Sequence, residues 1–232
     1  MREVFKAFLT TRTAAALSAA LLIGGCGGGG DSGGSTVTPT PGTPTPGFTE
    51  VEPALTADNL RLFGELDTSV GASVGFVVLS NDSQSLDTID WQQTSGPAVD
   101  LLAAHTQAVG FDIPAAGSYE FTVTTTTTNG QQRSLNFSLN AEATTEDNQA
   151  NIRLDHMATE RGRVSLRVDS PTAKIITDAQ WEQLAGPEAE DIVYQEDSTG
   201  GPLQSAFFAA PEVTKDEVME FSVTLTFDDG TT

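Results

Sequence analysis

Trp91-Gln92-Gln93-Thr94-Ser95-Gly96-Pro97 returns about 90 residues later as Trp181-Glu182-Gln183-Leu184-Ala185-Gly186-Pro187. The flanks keep the same order. Asn59-Leu60-Arg61-Leu62 returns as Asn151-Ile152-Arg153-Leu154, and Phe111-Asp112-Ile113-Pro114 as Phe208-Ala209-Ala210-Pro211. Glu120-Phe121-Thr122-Val123-Thr124 returns as Glu220-Phe221-Ser222-Val223-Thr224, and Asn129-Gly130 as Asp229-Gly230. A period of about 90–100 residues is too long for a solenoid unit and matches an autonomous β-sandwich. The chain is therefore read as all-β, with one sandwich over residues 50–142, a polar joint over 143–150 and a second sandwich over 151–232.

Local patterns agree. Tyr119, Phe121 and Val123 alternate with polar residues, as do Leu135, Phe137 and Leu139, which is the period of a half-buried strand. Asn129-Gly130 lies between those two runs and predicts a tight hairpin of type I′, whose two central residues need positive φ. Met219, Phe221, Val223, Leu225 and Phe227 alternate in the same way in the second repeat. Trp91 and Trp181, with Phe121 and Phe221, are the expected core. Gly96-Pro97 and Gly186-Pro187 should end their strands, because proline has no N–H to give to a ladder. Gln93 and Gln183 are placed to satisfy backbone groups near that turn. The first repeat continues from Gln131 to Ala141 after its hairpin, whereas Gly230 is followed by Thr231-Thr232. The second sandwich is thus expected to lack its last strand. Either the protein continues beyond Thr232 or another chain supplies the strand.

The order Trp-x-Gln-x-x-Gly-Pro, Phe-x-x-Pro, alternating aromatic strand and polar-Gly hairpin resembles the PKD-like, Ig-like domains of bacterial surface proteins. The resemblance spans roughly residues 50–232. It implies an Ig-like sandwich and leaves function open. The Trp-Asp-Phe-Gly-Asp-Gly core of typical PKD domains is absent.

Upstream lie an export signal and a stalk. Arg2, Lys6 and Arg12 precede an apolar run from Ala14 to Ile23. That run is shorter than the roughly 20 residues a spanning helix needs, and it suits a signal-peptide core. Leu22-Ile23-Gly24-Gly25-Cys26 resembles the lipobox of bacterial lipoproteins. The resemblance implies cleavage after residue 25 and acylation of Cys26, an anchor in the membrane. Gly27 in place of the aspartate that signals inner-membrane retention implies the outer membrane. Residues 26–49 are rich in Gly and then in Thr-Pro. Their extended part would span roughly 40 Å and hold the folded part off the bilayer.

Composition excludes several chemistries. Lys and Arg number 11 and Asp and Glu 32, for a net charge of −21. Such acidity opposes nucleic-acid binding, which needs clustered cations. The lone Cys26 permits neither an internal disulfide nor a thiolate zinc site. His105 and His156 fall in different repeats, and no Gly-x-Ser-x-Gly or His-Glu-x-x-His motif occurs. No catalytic residue and no cofactor are expected. Calcium is the one ion the acids suggest, through Asp82, Asp87 and Asp90 in one region and Asp228 and Asp229 in another. The expected function is that of a non-catalytic, lipid-anchored envelope protein whose repeats bind a protein or carbohydrate ligand, mediate adhesion or act as spacers. The alternative is the N-terminal stalk of a longer secreted hydrolase.

Overall fold

The computed structural model describes residues 11–12, 16–24, 49–82, 84–143, 151–154, 158–159, 163–169, 175–196, 203–213 and 216–228. Regular structure in these residues is entirely β. The first strands are β1 (Thr11–Arg12) and β2 (Ala16–Gly24). Next come β3 (Leu55–Ala57), β4 (Leu60–Phe63), β5 (Asp67–Ser69), β6 (Ser73–Ser80), β7 (Leu86–Ser95), β8 (Ala108–Asp112), β9 (Gly117–Thr127) and β10 (Gln132–Glu142). The last group is β11 (Asn151–Leu154), β12 (Ala158–Thr159), β13 (Arg163–Asp169), β14 (Ile176–Ala185), β15 (Glu190–Glu196), β16 (Leu203–Ala209) and β17 (Glu217–Phe227).

Two sheets form the first sandwich, in the orders β3-β4-β6-β8 and β5-β10-β9-β7. The predicted alternation sets their inner faces. Tyr119, Phe121 and Val123 of β9 and Leu135, Phe137 and Leu139 of β10 are buried, and their neighbours in sequence are more exposed. Phe137 packs between Phe121 and Phe76, at ring-centroid distances of 5.3 and 4.6 Å. Trp91 meets the edge of Phe137 at 6.2 Å and gives its indole N–H to Thr106 O at 2.8 Å. Tyr119 Oη donates to Ala115 O at 2.5 Å. That bond ties the start of β9 to the chain just before it, as the tyrosine corner does in related sandwiches.

The hairpin at Asn129-Gly130 forms, but not as the type I′ turn expected. Gly130 has φ of 82°, whereas Asn129 is not among the residues with positive φ. Gly130 N donates to Thr127 O at 2.8 Å, and Thr127 N donates to Gln131 O at 2.9 Å. This is the three-residue loop in which glycine takes the left-handed position after a type I turn. Two adjacent positive φ values occur instead at Asp58 (49°) and Asn59 (57°), in the two-residue link from β3 to β4.

The second sandwich repeats the plan. One sheet runs β11-β13-β16-β15, and the other runs β1-β2-β17-β14, with β12 also on β2. Trp181 and Phe221 are buried in its core with Val164, Phe208, Met219, Val223 and Leu225. The expected gap in the last-strand position is occupied. β2, cut from the apolar run read as a signal-peptide core, lies there as an extended strand paired antiparallel to β17.

The sandwiches also touch. Val77 and Leu79 of β6 and Phe63 of β4 are buried although they stand on the face of their sheet away from Phe76. Val218 and Ala185 of the second sandwich belong to the same apolar cluster as these residues and Val51. Gly186 N donates to Thr49 O at 2.8 Å, and Gln107 Nε2 to Asp216 Oδ2 at 3.3 Å. The length of the polar joint therefore does not leave the two units without mutual contact.

Candidate functional site

The repeated Trp-x-Gln-x-x-Gly-Pro motif builds the same brace twice. Gln93 Nε2 donates to Pro97 O at 2.7 Å, and its Oε1 accepts from Val99 N at 3.1 Å. Gln183 Nε2 donates to Pro187 O at 2.7 Å, and its Oε1 accepts from Ala189 N at 2.9 Å. Each glutamine amide thus closes the chain beyond a proline that cannot extend the ladder. The glycine between them allows the crossing. Gly96 has φ of 99°, and a Cβ there would stand 2.5 Å from Ser118 O. Gly186 has φ of 90° and approaches Val218 O and Met219 Cα in the same way. The motif positions strand ends and carries no reactive group.

The acidic candidates do not converge. Among the described residues, no group of three or more His, Cys, Asp or Glu side chains could hold a metal ion. The expected calcium cluster of Asp82, Asp87 and Asp90 is not assembled, because two of its members are engaged elsewhere. Asp82 takes both terminal nitrogens of Arg133, at 2.9 and 2.6 Å, and accepts from Ser80 Oγ at 2.7 Å. These bonds hold its carboxyl far below the usual carboxylate range, the Arg133 hydrogen bonds being the main cause. Asp90 accepts from Gln92 Nε2 at 2.6 Å and lies 3.2 Å from His105 Nδ1. Asp87 is exposed on β7. Asp228 closes the end of the β14–β17 pair, its N donating to Ile175 O at 2.9 Å. Asp229, His156 and Cys26 lie outside the described residues.

Arg133 is not among the residues that the sequence motifs point to. It stands at an inward position of β10, in phase with Leu135 and Phe137, and its side chain is only 3% exposed. A cation at an inward position of an alternating strand is the signal that could have found it, since such a charge requires a buried partner.

A shallow crevice lies where the sandwiches meet, lined by Arg61, Phe63, Leu79, Asp216, Glu217 and Val218 among others. It encloses essentially no space, whereas small-molecule pockets begin near 300 Å³. Arg61 there pairs with Glu50 at 2.9 Å and stacks over Phe63. The crevice reads as the seam of a packed interface.

A likeness to a known domain lies within the first sandwich. Residues 76–140 match the family model of the K319L-like PKD domain. The matched span runs from β6 through most of β10, so this part of the chain is similar to a PKD domain. No curated protein matches the chain. Among solved structures, the PKD domain from KIAA 1837 protein is 17% identical, with 40% of this chain covering 94% of that one at a TM-score of 0.32. The fibronectin(III)-like modules of Clostridium thermocellum CbhA are 10% identical over 71% of this chain and 82% of that one, at a TM-score of 0.26. The secreted serine protease VesC from Vibrio cholerae is 9% identical over 73% of this chain and 50% of that one, at 0.25. The fold of this chain is that of Ig-like β-sandwiches.

Proposed function

We propose that this is an exported, lipid-anchored envelope protein whose sandwiches act as non-catalytic binding or spacer modules. The observation that carries the reading is the order of parts: basic start, apolar run, Gly24-Gly25-Cys26, Gly- and Thr-Pro-rich linker, and then sandwiches. Acylation of Cys26 supplies the anchor, and the linker supplies the distance from the bilayer. A protein or carbohydrate ligand would meet an acidic surface, which favours neutral or basic partners over nucleic acid. The alternation of inward apolar and outward polar residues puts most of the aromatic rings in the cores, so the modules offer extended strand faces in place of a cleft.

The test is metabolic labelling with a clickable palmitate analogue, followed by mass spectrometry of the mature N-terminus. A label on Cys26 as the first residue is expected, and Cys26→Ala should abolish both the label and recovery in the membrane fraction. An unlabelled protein whose mature form starts at another residue would overturn the reading.

A further inference from the structure

We propose that Ala16–Gly24 is the exchangeable last strand of the second sandwich, so that this segment has a structural role besides any role in export. The pairing reproduces the first sandwich position by position. In β10, Leu135, Phe137, Leu139 and Ala141 stand opposite Val123, Phe121, Tyr119 and Gly117. In β2, Leu17, Ala19, Leu21 and Ile23 stand opposite Val223, Phe221, Met219 and Glu217, the counterparts of those same residues. The far edge agrees as well. Ala141 and Glu142 pair in parallel with Thr68 and Ser69 of β5. Ile23 and Gly24 pair in parallel with Ala158 and Thr159 of β12. One segment therefore meets both of the neighbours that a last strand must meet, in one register.

The chemistry of both partners supports the match. β17 presents buried Met219, Phe221, Val223, Leu225 and Phe227 on one face, and a row of backbone donors and acceptors that needs a neighbouring strand. Ala16–Gly24 carries no charge and no proline, and its residues opposite Val223, Phe221, Met219 and Glu217 are all apolar. The Gly- and Pro-rich stretch that follows it makes a poor ladder. The connection also differs from that of β10. A short hairpin binds β10 to β9, whereas about 190 residues of chain separate β2 from β17. No short connection ties β2 to β17, although β1 pairs with its first two residues, so β2 can leave the β17 edge while β14 and β17 stay paired. Ala19 holds the register position that Phe137 fills in the first sandwich, which makes β2 the smaller occupant. Cutting the chain before Cys26 would remove this strand and open the β17 edge. That consequence rests on the export reading, whereas the strand assignment concerns the uncut chain.

The assignment is tested on the full chain carrying Cys26→Ser, with intact mass confirming that residues 1–25 are retained. Ser18→Cys with Ser222→Cys places thiols at paired positions. Ser18→Cys with Thr226→Cys offsets them by four residues, about 13 Å along the strand. After mild oxidation, non-reducing mass spectrometry should show the intramolecular disulfide at least tenfold more in the first variant. Equal yields, no linkage, or linkage between chains only would overturn the proposal. In a second variant, Leu21→Asp should speed amide exchange over Glu217–Thr224 at least tenfold and leave Ser118–Val123 unchanged. Unchanged exchange over Glu217–Thr224 would also overturn it. Neither readout depends on acylation, so a failure here is distinct from a failure of the lipid-anchor reading.

Discussion

Gln93 and Gln183 each do the work of a missing piece of backbone. A proline ends the ladder, the next residues turn away, and the side-chain amide bonds both a carbonyl and an N–H that would otherwise be stranded in partly buried surroundings. Removing such an amide leaves backbone groups desolvated without partners, a cost of roughly 1–3 kcal/mol. Gln93→Ala is therefore expected to lower the urea midpoint of the first sandwich by an amount equivalent to roughly 1–2 kcal/mol, with the m-value unchanged. Gln93→Glu should be no better, because a carboxylate accepts from Val99 N but repels Pro97 O. A midpoint unmoved in Gln93→Ala would show that solvent serves those groups equally well.

At the scale of elements, the Arg133–Asp82 pair ties β10 to the loop after β6. Arg133 also donates to Ser80 Oγ at 3.0 Å, so the guanidinium is held from several sides while almost wholly buried. The carboxyl of Asp82 has a lower pKa folded than unfolded. Its stabilising effect is therefore present above the ordinary aspartate range and is lost as pH falls below that range. Asp82→Asn is expected to lower the melting temperature at pH 7 by roughly 5 °C and to flatten the acid limb of the stability profile. Equal losses for wild type and variant on acidification would refute this role for Asp82. Much of this level was legible in the sequence. The alternation around Phe121 and Phe221 specified strands and inward faces, and the paired Trp-x-Gln-x-x-Gly-Pro motifs specified two like units. Three features were not legible, each for a physical reason. Turn type depends on φ at single residues, so the Asn129-Gly130 signal located the hairpin but not its geometry. The calcium reading counted carboxylates without knowing that Asp82 faces a buried arginine. The apolar run at Ala16–Gly24 has the composition of a signal core and of a strand alike, and β17, with which it pairs along most of its length, begins about 190 residues away.

Across the whole molecule, the seam between the sandwiches is where acidity and burial meet. Glu220 lies on β17 and is half-buried, with Glu65 of the first sandwich nearby. Burial pushes the Glu220 carboxyl up first, and the negative charge of Glu65 adds to it. A carboxyl whose pKa is raised on folding favours the protonated native form. Its contribution is greatest at low pH and is lost as pH climbs through the raised value, opposite in sign to that of Asp82. The seam should therefore be tighter in acidic solution, where Glu220 is protonated, than at a pH where it is fully charged. Glu220→Gln removes the penalty at neutral pH while keeping the shape of the side chain. It is expected to raise the melting temperature of the second sandwich by roughly 2 °C at pH 7 and to leave it unchanged at pH 4. Glu65→Gln should give a smaller rise in the same direction, since it removes the lesser cause. A Glu220→Gln variant that gains equally at both pH values would mean that the gain does not come from removing the carboxylate's charge, and that Glu220 gives the seam no pH dependence.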